Sequence, residues 1–320
     1  MKFHKLALVF ATALCVPFAS AAQDFPSKPI RLVVPYSAGG GTDATARLLA
    51  LKLADGLGRP VIVDNKPGGG GTIGADIVAK AAPDGYTVLF DAAPFAVNPA
   101  LRKTPYEARK DFIPVSLVMT GPNILLVPKD APYNDVKGFL AWGKANPGKL
   151  TFASAGTGTG QHLAGELFNV RTSVNLLHVP YKGGGPAIID LLAGQVSSYF
   201  ANAASAMPYI KSGQLKPLGV TTRTRSAILP SLPTLEEQGI RDYDVQEWAG
   251  VFVPAGTSPA VVARLAKEIA GAVRDPSFRE RLESLGVAPA GTSPEEFKRF
   301  VDAELTRWAH IITTNNIKAE

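Results

Sequence analysis

The sequence runs to 320 residues, with 33 lysines and arginines against 27 acids and a formal charge of +6. The basic residues are scattered, without a basic run or an RNA-binding signature, so the balance argues against a nucleic-acid partner and suits small anions. The single cysteine, Cys15, cannot form an internal disulfide or a zinc-thiolate site.

The N-terminus has three parts: Lys2 and Lys5, the apolar run Leu6 to Val16, and the small residues Ala19-Ser20-Ala21. This is the layout of a signal peptide, residues 1–21, cut after Ala21; the run is too short to span a bilayer. Cys15 leaves with it, and the chain that remains carries +4 and only the histidines His162, His178 and His310. No later stretch reaches 18 uncharged apolar residues, and about 300 residues suffice for two domains with cores.

Short apolar strands then alternate with helices. Ile30 to Val34 reads as a buried strand and Ala44 to Leu57 as a helix with Leu48, Leu49 and Leu53 on one face. Val61 to Val63, Ile73 to Ala82 and Thr87 to Phe90 read as strand, helix and strand, with Pro83-Asp84-Gly85 as a turn. The pattern predicts a parallel sheet covered on both faces. Val115 to Pro128 is too long for one ordinary strand and reads as a crossing between lobes. The alternation restarts at Leu150 to Ala153 (strand), Gly160 to Phe168 (helix), Leu176 to Pro180 (strand) and Pro186 to Leu192 (helix). Strands follow at 196–200 and 215–221, then a return crossing at Trp248 to Pro254. Two helices finish the chain, the last opened by a capping box at Ser293 to Glu296 with Pro294 at its first position.

The first strand-to-helix turns of the two halves share a device: Ser37-Ala38-Gly39-Gly40-Gly41-Thr42 and Ser154-Ala155-Gly156-Thr157-Gly158-Thr159, five of six residues alike. A helix start leaves about four amides unpaired and carries roughly half a positive charge. Glycines let the backbone approach a ligand, and the hydroxyls add donors. Two such turns on facing lobes are a site for a carboxylate. Asp43 is expected to cap the first helix.

Other chemistries fail on the residues. Gln161 breaks a dinucleotide fingerprint, no phosphate-binding P-loop exists, Ser154 lacks the flanks of a nucleophile elbow, and no histidines sit at a metal-ligand spacing. His162, on the turn after the second glycine loop, faces either the ligand or helix packing. Asp91-Ala92-Ala93-Pro94-Phe95 should reach the cleft rim as a loop. Tyr36 and Phe95 either flank a ligand or pack in the core. In Tyr181-Lys182-Gly183, Lys182 either neutralises a carboxylate or is solvated. The glycine run Pro67 to Thr72 reads mainly as a structural turn.

Together these segments resemble the Bug family, the periplasmic receptors of tripartite tricarboxylate transporters. The resemblance runs through PSKPIRLVVPYSAGGGTDATAR (26–47), DNKPGGGGTIGA (64–75), PDGYTVLF (83–90), NPAL (98–101), PYEARKDFIPVSLV (105–118), SAGTGTGQHLAGELF (154–168), HVPYKGGGPAIIDLLAGQV (178–196) and WAGVFVPAGTSP (248–259). It implies an α/β periplasmic binding protein fold, type II-like, of two doubly wound lobes: residues 22–121 with 250–320, and residues 122–249. It implies a monomer that closes on a carboxylate, hands it to membrane subunits, and has no catalysis, cofactor or metal. Carried over as ligand contacts are Tyr36 to Asp43, the segment after Phe90 (Ala92, Ala93, Phe95), Ser154 to Thr159, and Tyr181 to Gly183; His162 and Asn202, beside these segments, are further candidates. Two departures stand out. Ala92 and Ala93 replace the hydroxyl residues common after the third strand, and Ala201-Asn202 replaces an aspartate found in many members. These tilt the expected ligand away from amino acids and toward apolar or aromatic bulk. A receptor for a sensor kinase and an α/β enzyme are the competing readings.

Overall fold

A computed structural model describes residues 25–318. The expected signal peptide, with Cys15 and the cut after Ala21, lies outside the described residues. Ile30–Val34 forms β1, and α1 (Gly41–Leu57) buries Leu49, Leu53 and Leu57 against it. β2 (Val61–Asn65) and β3 (Thr87–Ala92) flank β1 in parallel, with α2 (Thr72–Ala79) between them in sequence. β3 runs directly into α3 (Pro94–Leu101), where a loop was expected.

The long apolar run is one strand, β4 (Phe112–Pro128), and the return crossing is β9 (Gln246–Pro254), antiparallel to it along residues 112–122. The pairing is interrupted where β4 slips register twice against β9, between Pro114 and Ser116 and between Leu117 and Met119. Midway, Gly121 leaves room for Val287, whose Cγ1 lies 2.9 Å from where a side chain would begin. The far end of β4 joins a second half-sheet, in which β7 (Ser198–Asn202) and β8 (Leu215–Val220) pair with it antiparallel. β5 (Thr151–Ser154) and β6 (Leu177–Pro180) then add in parallel, giving the order β2-β1-β3-β9-β4-β7-β5-β6. The sheet is thus mixed, not purely parallel. β9 runs against both neighbours because the chain returns through the crossing in the opposite sense.

Helices α4 (Val136–Ala145), α5 (Gly160–Thr172), α6 (Gly184–Leu192) and α7 (Ala203–Lys211) cover the second half. The C-terminal part holds three helices where two were expected, α8 (Pro259–Arg274), α9 (Pro276–Ser284) and α10 (Pro294–Thr314), with the short strand β10 (Ala288–Pro289) against β4. One buried cluster runs through both halves, from Phe95, Phe112, Phe252 and Trp308 to Phe139, Phe152, Phe168 and Phe200. Each such side chain contributes about 2–3 kcal/mol of burial, so the two half-sheets are held as one frame around the crossing strands.

Candidate functional site

The first glycine loop leaves β1 and opens α1. Gly39 has φ +85°, a conformation that strains other residues, and its amide donates to Asp43 Oδ2 at 2.8 Å. Asp43 therefore does not cap α1. The cap position is Gly40, without a side-chain bond, and Asp43 reaches back from the first turn to fasten the loop. It also accepts from Asn65 Nδ2 (2.9 Å) and Arg47 Nε (2.9 Å). Burial alone would raise its pKa; the Arg47 guanidinium, the Gly39 amide and Asn65 together hold it below the ordinary carboxylate value. The amides of Gly40, Gly41 and Thr42 have no partner among the described residues.

The second loop is braced from beneath. Gly156 and Gly158 have φ +132° and +87°. Thr159 caps α5, accepting from the His162 amide and donating to Gly156 O at 2.7 Å. His162 does not face outward. It is buried, its Nδ1 accepts from the Gly158 amide (3.2 Å), and its ring lies 4.2 Å from that of His178. Ser154 Oγ sits 2.7 Å from His178 Nε2 and accepts from the Gly156 amide. Burial lowers the pKa of His162 to about 3, aided by His178 and Arg102, and that of His178 to about 4, so both rings are neutral near pH 7. The Ser154–His178 spacing is that of a nucleophile and base. However, Ser154 is fully buried and His178 Nδ1 has no orienting partner, so the pair supports the loop.

The remaining expected contacts divide. Tyr36 Oη donates to the buried Asp91 at 2.6 Å. Burial pushes Asp91 up to about 7, partly offset by Tyr36 and the Ala92 amide. Ala92 and Ala93 are buried, and Phe95 is core: fully buried, stacked on Phe252 at 4.2 Å and edge-on to Phe112. Of the two readings of Phe95, flanking a ligand or packing in the core, the structure shows the second. β3 leads straight into α3, whose inner face must pack on the sheet. Tyr181 Oη donates to Asp190 (2.7 Å), Lys182 is exposed, and Gly183 (φ +125°) precedes α6. Asn202 caps α7 through Ser205, while its Nδ2 lies 4.0 Å from where a Gly41 side chain would begin. It thus sets the second half against the first loop.

Three groups escaped the sequence reading. Arg102 donates to Gly69 O (3.3 Å) in the first half and to Thr157 O (3.4 Å) in the second loop, and Asn98 Nδ2 donates to Gly70 O. The run Pro67 to Thr72, read as a turn, thus borders the site. Asn123, at the crossing on β4, is fully buried with neither amide atom partnered. Glu247, on β9, places Oε1 2.9 Å from where a side chain on Gly160 would begin, with Asn123 Nδ2 3.7 Å from the same point. Burial pushes Glu247 up to about 7, with the Asn123 amide pulling down. Only spatial convergence identifies these residues. Two surface cavities lie elsewhere: about 570 Å³ beside Arg171, Arg223, Glu304 and Arg307, and about 660 Å³ beside Ile113, Pro259 and Val262. Among the described residues no cluster of three metal-binding side chains occurs, and no helix is long and apolar enough to cross a membrane.

A family model described as "Tripartite tricarboxylate transporter family receptor" matches residues 45–317. The chain belongs to this family. Among its relatives in the family, Protein BugT of Bordetella pertussis is 35% identical over 313 residues, covering 97% of this chain and 96% of BugT. The "UPF0065 protein in tcbD-tcbE intergenic region" of Pseudomonas sp. strain P51 is 42% identical over 303 residues, covering 94% of this chain and 90% of that protein. The periplasmic binding protein BugD is similar in structure, at TM-score 0.83 and 37% identity, covering 92% of this chain and all of BugD. R. palustris Rpa4515, solved with adipate, gives TM-score 0.86 at 34% identity, covering 92% of this chain and 99% of that one. MatC of Rhodopseudomonas palustris, solved with bound malate, gives 0.81 at 33%, covering 90% and 100%. This Bug-family receptor accordingly has the periplasmic binding protein fold.

Proposed function

We propose that this chain is an exported, monomeric, non-catalytic receptor that closes two lobes on a small carboxylate and delivers it to the membrane subunits of a tripartite tricarboxylate-type transporter. The lobes are residues 22–121 with 250–320, and 122–249, and residues 1–21 are the export signal. The observation that carries the reading is the pair of glycine-rich helix starts. Each offers unpartnered amides, and each is set against the opposite half, Gly41 opposite Asn202 and Thr157 opposite Arg102. Amides aimed from a helix start hold an anion without a dedicated cation. The contact set is Tyr36 to Asp43, Ala155 to Thr159, Tyr181 to Gly183 and Asn202, joined by Asn98 and Arg102, with Ser154 bracing the second loop from beneath. The adipate and malate bound by relatives of similar fold support a carboxylate ligand. The sealed Ser154 and the unoriented His178 weigh against catalysis.

Native mass spectrometry of the purified protein, followed by titration with mono-, di- and tricarboxylates, tests the reading. The expected result is a bound carboxylate and saturable binding that Gly158→Leu abolishes while the circular dichroism spectrum is unchanged. Here a side chain would meet Arg102 Nη2 at 3.1 Å and Leu101 Cδ2 at 3.2 Å in a φ +87° residue. Failure of every acid to bind sinks the proposal.

A further inference from the structure

At the crossing between the two halves, β4 and β9 bring together polar groups that the fold does not use. Asn123 is fully buried, and both its amide atoms lack partners. Glu247 Oε1 is likewise sealed from solvent and unpartnered. Both groups point at Gly160, the first residue of α5, where even a methyl group would meet Glu247 Oε1 at 2.9 Å. The amides of Gly160 and Gln161 at this helix start have no partner among the described residues. A buried amide left without hydrogen bonds is unfavourable, and so is a buried carboxylate whose one nearby donor, the Asn123 amide, makes no well-formed hydrogen bond to its Oε1. The fold tolerates such groups where something else supplies the partner.

A ligand carboxylate held by the α5 start would lie beside Glu247, whose pKa burial raises to about 7, and would repel its ionised form. A hydrogen-bond donor between them removes the conflict. We propose that Glu247 and Asn123 form a subsite for a donor group, a hydroxyl or an ammonium, carried by the ligand close to the carboxylate that the second glycine loop holds. The inference rests on the carboxylate reading above and narrows it, selecting hydroxy or amino acids over plain diacids. Asn123, with a donor NH2 group and an acceptor oxygen, orients the substituent.

Calorimetric titration of the purified protein with chain-matched sets, succinate, malate and aspartate, then glutarate, 2-hydroxyglutarate and glutamate, tests this. In at least one set the hydroxy or amino member should bind about tenfold or more tighter than the plain diacid, the scale of one hydrogen bond to a charged group. Glu247→Gln keeps an acceptor oxygen but no charge. It should cut amino-acid affinity about tenfold or more and hydroxy-acid affinity less, which separates the two sources of the donor. Glu247→Leu should abolish either preference and leave plain-diacid binding intact. Ligand-free melting of both variants, and of Asn123→Ser as a second lesion in the subsite, establishes that they fold. Plain and substituted acids binding equally to the parent protein, or a preference that survives Glu247→Leu, overturns the subsite alone. Binding of no acid at all overturns the carboxylate reading and this inference with it.

Discussion

Phe95 and Asp91 are four residues apart and show how differently burial acts on apolar and ionisable groups. Phe95 gains from it: Phe95→Ala should destabilise the protein by about 3–5 kcal/mol in urea denaturation, while the volume-conserving Phe95→Leu leaves ligand affinity unchanged because the ring touches only core. Asp91 and Glu247 lose from it, each raised to about 7. Between their ordinary values near 4 and about 7 the folded chain binds more protons than the unfolded one, so their contribution to stability falls as pH rises through that window. His162 and His178 act in the opposite sense. Their pKa values, about 3 and about 4 against 6.5 unfolded, mean that stability is lost as pH falls below 6.5. Calorimetric melting should therefore show Asp91→Asn gaining on the parent protein as pH rises from 4 to 7, and His178→Gln gaining as pH falls from 6.5 to 4. Parallel curves would refute these assignments.

Helix starts do two kinds of work in this fold. At α10, Ser293 and Glu296 form a reciprocal capping box, each side chain bonded to the other's amide, at 3.2 and 2.9 Å. At α7, Asn202 caps with the same chemistry but also faces Gly41 across the site. Removing either cap should cost about 1 kcal/mol in chemical denaturation. Only Asn202→Ala should also weaken carboxylate binding, whereas Ser293→Ala should leave the binding isotherm unmoved. An equal effect on binding from both variants would mean that the α7 start is remote from the ligand.

The molecule as a whole is two half-sheets sharing β4, which β9 pairs within the first, with Arg102 reaching from one half to the carbonyl of Thr157 in the other. Binding shifts the arrangement of the halves only as far as the ligand prefers the closed one. Small-angle scattering should show compaction when a binding acid is added. Arg102→Ala should enlarge the ligand-free protein and lower affinity severalfold, since its contacts at 3.3 and 3.4 Å are long. Unchanged scattering in both comparisons would argue against closure and against Arg102 as the bridge.

By itself the sequence determined the alternation of strands and helices, the two crossings and the matched glycine loops, because these rest on local patterns: apolar runs, turn residues and the glycines that a helix start needs. It missed α3, α4 and α7; α3 and α7 each carry a proline at the sixth position, Pro99 and Pro208, a local signal against helix that tertiary packing overrides. It gave the two crossings no strand direction, since direction is a property of the return path, and the structure makes them antiparallel. Its candidate residues in the glycine loops stand where expected, while Phe95 and His162 turned inward, because a residue's address in the chain does not fix the face it presents. Arg102, Asn123 and Glu247 became visible only in three dimensions. Each is unremarked in its own segment, and only the folding of three distant segments onto one point, beneath the second of the two helix starts, gives their polar atoms a common purpose.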